Sequence, residues 1–105
     1  MVKMVQLLVK RDDYTHEAFV ERWRGEHAEL AKDLPGLQRY ATAVPNDPAR
    51  SSHDGVVELS FEDMDALAAA FDSEVGQAVQ ADAAEFADVE AGETLYVEER
   101  VEYEA

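Results

Sequence analysis

The sequence predicts an α+β domain, with a four-stranded antiparallel sheet and two helices on one of its faces. Three observations carry that prediction. Residues 2–10 and 53–61 are apolar or alternate with a period of two, as strands do. Two longer stretches place apolar residues at helical spacing. These elements follow one another in the order β-α-β-β-α-β.

Taken in turn, residues 2–10 (VKMVQLLVK) read as the first strand, compact, apolar and partly β-branched. Thr15 is a candidate helix N-cap, and Glu17 lies in the first turn, where the helix dipole favours an acid. Phe19, Trp23, His27, Leu30 and Leu34 then fall at spacings of four, four, three and four, one face of a helix that Pro35-Gly36 ends. Leu37 to Val44 read as the second strand, with Tyr40 in its middle. A polar loop from Pro45 to Ser52 follows. In the third strand, His53 to Phe61, Val57, Leu59 and Phe61 face one way and Glu58 and Ser60 the other. Glu62 or Asp63 opens a second helix with Met64, Leu67, Ala68 and Phe71 on one face. A break between Ser73 and Gly76 kinks or restarts it, and Val75, Val79 and Phe86 continue the apolar set. Thr94 to Tyr103 are expected to form the last strand, with Leu95, Val97, Val101 and Tyr103 on one face. This order is the ferredoxin-like arrangement.

Length and composition set the frame. The chain has 105 residues, enough for one domain spanning 1–105, and 47% are hydrophobic, enough for a core. It has no cysteine, which excludes disulfides, thiolate metal sites and cysteine nucleophiles. No apolar run approaches a membrane span, and the N-terminus makes a poor signal peptide, so a cytoplasmic protein is expected. The net charge is −15, which argues against nucleic acid as a partner. It is also lopsided: residues 1–57 carry a net −1 and residues 58–105 a net −14. Three lysines against 24 acids point to a halophilic origin, where salt screens the self-repulsion of an acidic fold.

Layering adds a partner. Two helices cover one sheet face, yet the first strand is apolar on both, with Met4 and Leu8 on one and Val5, Leu7 and Val9 on the other. A sheet apolar on both sides needs a second cover, and a second copy packed face to face supplies it.

Four segments together resemble the EthD family: Phe19-x-x-x-Trp23-x-x-x-His27, Leu34-Pro35-Gly36-Leu37-x-x-Tyr40, Asp54-Gly55-Val56-x-Glu58-Leu59-x-Phe61, and Asp82-x-x-x-Phe86. The resemblance implies the dimeric α/β-barrel superfamily, in agreement with the layering. Members of that superfamily isomerise methylmuconolactones without a cofactor, oxygenate aromatic polyketides without metal or flavin, or bind haem. By the same resemblance His27 on the first helix, Tyr40 on the second strand and His53 at the third occupy catalytic places.

Each candidate has a plainer alternative. His27 is either a general acid–base in a cleft between helix and sheet or a buried structural histidine. Tyr40 either donates to an enolate or carbonyl oxygen or fills the core. His53 either joins the site or ends a surface loop. Asp54 either orients a histidine or caps a turn. Trp23, Phe61, Phe71 and Phe86 either line a substrate pocket or form plain core. No metal site is expected: His16 and His27 are three helical turns apart, too far to share an ion. Two functions follow. One is a cofactor-free enzyme, an isomerase or monooxygenase, on a small carbonyl, lactone or phenolic compound. The other is a non-catalytic dimer that binds a hydrophobic metabolite or haem.

Overall fold

The computed structural model describes residues 1–105. Strand β1 (Val2–Leu8) leads to a helix in three parts: α1 (His16–Arg22), a π turn (Trp23–His27) and α2 (Ala28–Ala31). Then come β2 (Arg39–Ala43), a 3-10 turn (Pro48–Arg50), β3 (Gly55–Phe61), α3 (Met64–Asp72), α4 (Glu74–Ala83) and β4 (Glu93–Glu98). The sheet order is β2-β3-β1-β4, and every pair is antiparallel. This is the expected ferredoxin-like fold.

Local chemistry explains the boundaries. The Thr15 hydroxyl accepts from the Ala18 N–H, and Asp63 accepts from the Ala66 N–H, so both predicted helix starts are capped by side chains. Gly36 takes a positive φ of 75° where the chain turns from the first helix toward β2. The predicted break in the second helix is a full interruption. The Ser73 hydroxyl accepts from the Gly76 N–H and donates to the Ala70 carbonyl, ending α3 and starting α4 at once.

The first three strands are each shorter than expected, at Val2–Leu8, Arg39–Ala43 and Gly55–Phe61, and two larger differences appear. The first helix is not uniformly α, because the turn from Trp23 to His27 is π-helical. The last strand ends at Glu98, not Tyr103, because Glu98 pairs with Val2, the first residue of β1. Beyond it the ladder has no partner, and Val101 and Tyr103 are exposed.

The core lies between helices and sheet. Phe19, Trp23, Phe61 and Phe86 are fully buried, and the Phe19 ring sits 5.6 Å from both Trp23 and Phe86. On the opposite sheet face, the β-sheet register brings Val5, Leu7, Val56, Leu95 and Val97 together with no helix over them. Lys3, on that same face, is buried between Glu99 and Glu58, at 2.6 and 3.0 Å. Those carboxylates hold its ammonium above the ordinary lysine pKa, Glu99 most strongly.

Candidate active site

Trp23 and His27 are the two buried residues of the π turn, and such turns often occur where a helix serves a site. The His27 ring meets the edge of Phe86 at 5.1 Å. Its Nδ1 lies 2.7 Å from Oδ2 of Asp82, on α4. Arg22, one turn earlier, donates through both terminal nitrogens to the two oxygens of Asp82, and its guanidinium also lies over the Phe86 ring at 5.1 Å.

The electrostatics follow from this chain of contacts. The Arg22 guanidinium, helped by His27, holds the Asp82 carboxyl below its ordinary range. An ionised carboxylate can only accept, so His27 Nδ1 carries the proton and donates it. Nε2 is then the nitrogen with a free lone pair. Burial lowers the imidazole pKa below its usual 6.5, against the opposing pull of Asp82. At neutral pH His27 is therefore an uncharged base with a fixed tautomer. Both shifts also make the fold acid-sensitive. The stability due to each group is complete above its unfolded pKa and is lost as pH falls through its lowered native value.

Tyr40 projects from β2, where it pairs with Leu59. Its hydroxyl is buried and has no hydrogen-bond partner. Burial pushes the phenol up to about 12, with the neighbouring Trp23 indole the weaker, opposing influence. The hydroxyl therefore stays protonated, with its donor unspent.

These groups meet at a cavity of about 430 Å³ between the helices and the sheet. His27, Tyr40, Trp23, Phe71 and Phe86 line it, and 14 of its 18 lining residues are hydrophobic, so it suits an apolar ligand. The other proposed residues lie elsewhere. Phe61 is fully buried and packs edge-on to Phe71, because its partner Val2 puts it at the far end of the sheet. Asp54 turns away from His27, accepting from the Lys10 N–H at 2.9 Å and lying 3.1 Å from His16 Nδ1. It clamps the end of β1 to the start of α1, and the histidine it meets is His16. His53 contacts Ser52 and approaches Glu93 at 3.9 Å. The expected grouping of four polar residues thus separates into two, with only His27 and Tyr40 at the cavity.

Sequence reasoning passed over Asp82, Arg22 and Gln6 as site residues. Asp82 stood in one of the quoted segments, but as a lone acid among the 15 in residues 58–105. Gln6 carried a clearer signal: it is the polar exception on the Met4–Leu8 side of β1, and it lines the cavity with its amide donating to Thr94 Oγ1.

The EthD domain matches residues 11–90 of the chain. No curated protein matches it in sequence. Among solved structures, an ethyl tert-butyl ether D (EthD) family protein from Bacillus halodurans shares 26% identity at a TM-score of 0.81, covering 95% of this chain and 99% of that one. A dimeric protein of ferredoxin-like fold from Bacteroides fragilis superposes at 0.72 with 14% identity, over 92% and 94% of the two chains. SnoaB, a cofactor-independent oxygenase from Streptomyces nogalater, superposes at 0.71 with 15% identity, over 95% and 93%.

Proposed function

The chain belongs to the EthD domain family, and from that premise we propose a cofactor-independent enzyme acting on a small carbonyl, lactone or phenolic compound. The observation that carries this reading is the meeting of an oriented neutral histidine and an unpartnered tyrosine hydroxyl at one mostly apolar cavity. In this mechanism Nε2 of His27 removes a proton from an acidic C–H or phenol O–H. Asp82 steadies the imidazolium that forms, and Tyr40 donates to the oxygen on which negative charge develops. Returning the proton to a different carbon completes an isomerisation. Attack of the deprotonated, electron-rich ring carbon on dioxygen would give a hydroperoxide, whose O–O bond breaks with loss of water to leave a quinone carbonyl. The substrate supplies all the electrons, so the same site serves as an oxygenase, and the likeness to SnoaB lends support to that form. His53 and Asp54 serve as supports of the loop into β3.

Incubation with a panel of lactones and phenols, with and without dioxygen, tests the proposal. At least one compound is expected to be consumed by the purified protein alone. Failure across the panel, with ligands still bound, favours the second reading, a non-catalytic binder of a hydrophobic metabolite or haem. The largely hydrophobic lining supports that alternative, and added haem would then give a Soret band.

The same proposal makes the protein a homodimer through the uncovered sheet face, as the Bacteroides fragilis relative is dimeric. Its charge of −15 with three lysines fits a salt-adapted chain. Light scattering in molar salt is expected to give twice the 11.7 kDa monomer mass, and the melting temperature to fall as salt drops to tens of millimolar. A monomer contradicts the first expectation, and an unchanged melting temperature the second.

A further inference from the structure

We propose that the cavity admits only uncharged ligands and excludes carboxylates and amines, so that the substrate is a neutral phenol, ketone or lactone. The inference rests on the reading of this cavity as the ligand site, and it narrows that reading to one charge class.

The chain carries 24 acidic and nine basic residues, yet none of the 18 lining residues is Asp, Glu, Lys or Arg. The four lining residues that are not hydrophobic are Gln6, His27, Gln80 and Thr94, and the Tyr40 hydroxyl adds one further polar group. The Gln80 NH2 donates to the Phe71 and Gly76 carbonyls and the Gln6 NH2 donates to Thr94 Oγ1, so both amides offer dipoles but no charge. Arg22 is the cation whose charge acts on His27, and its fork is engaged by both oxygens of Asp82. Asp82 is in turn neutralised by Arg22 and bonded to His27, so it offers no free charge to a cationic ligand. Tyr40 and the Asp82–Arg22 pair are the ionisable groups that face His27, and at pH 8 none of them leaves a net charge in the cavity. A ligand ion entering here loses its hydration and meets no counter-charge. A neutral ligand with one oxygen for Tyr40 meets no such cost.

The test is calorimetric binding of three probes that share one ring system and differ in charge, at pH 8: 2-naphthol, 2-naphthoate and 2-naphthylmethylamine. His27 ring signals in the NMR spectrum locate the binding. The expected result is that 2-naphthol binds and shifts the His27 signals, while both ions bind at least about 100-fold more weakly. An ion that binds within tenfold of 2-naphthol while shifting those signals overturns the inference and leaves the enzyme reading intact. If 2-naphthol itself leaves the His27 signals unmoved, the cavity is not the ligand site, and both readings fall. Selective 2-naphthol binding without turnover of any substrate upholds this inference and removes only the catalytic step.

Discussion

Replacing His27 by glutamine is expected to slow turnover of an accepted substrate by about 10²–10⁴-fold, the usual contribution of a placed acid–base group. Glutamine keeps an amide and much of the ring's volume, and Arg22 still pairs with Asp82, so the fold and the cavity should survive. It cannot accept the substrate proton. The loss is therefore expected in kcat with little change in KM, since binding depends on the apolar lining. The wild-type rate should also fall in acid, with an apparent pKa below 6.5, because the base must be neutral and burial holds its pKa down. A glutamine variant with near-normal kcat would remove His27 from the chemistry.

Trp23→Ala is expected to cost about 3–5 kcal/mol of stability, as large core truncations do. The indole is 1% exposed and packs on Phe19, so its removal enlarges an existing cavity rather than letting the core close. With domain stabilities of about 5–15 kcal/mol, the variant should be marginal near 37 °C. Its position also depends on Gly55, where an added Cβ would stand 2.5 Å from the Trp23 ring. Gly55→Ala therefore acts on the same contact from the other side, pushing the indole at a cost of about 1–3 kcal/mol. Urea unfolding of both variants checks this. A Trp23→Ala midpoint close to wild type would show that the indole is not part of the core.

Much of the fold was legible because single residues carried strong local signals. Thr15 and Asp63 cap where their side chains can accept from the third residue onward. The alternation of Val57, Leu59 and Phe61 against Glu58 and Ser60 survives intact in β3, since a strand's period leaves no freedom of face. The break between Ser73 and Gly76 was legible as a position, while the hydroxyl's double role in ending α3 and capping α4 is seen only in the structure. The π turn was not visible, because a spacing of four between Trp23 and His27 suits an α or a π turn equally well. The length of β4 was misjudged because alternation persists to Tyr103, whereas pairing depends on where β1 begins, which is a property of two strands.

The site divides along similar lines. His27 and Tyr40 stood out as polar residues on apolar elements. His53 was grouped with them because resemblance orders residues along the chain, and Asp54 because a carboxylate can orient a histidine; its bonds to Lys10 and His16 are tertiary. Asp82 is the converse case. It lies 55 residues from its histidine, inside a strongly acidic half, and only packing of α4 against the π turn sets it apart from its neighbours.

The protonation state of His27 in the free protein tests the central claim most directly, since it needs no substrate. Nitrogen-15 NMR of the imidazole across pH reads the tautomer and the pKa together. The expected result is a neutral ring protonated at Nδ1, titrating below 6.5, with Asp82→Asn weakening the tautomer preference. A ring protonated at Nε2, or one that titrates above 6.5 and is charged at neutral pH, would contradict a general base held by Asp82 and Arg22.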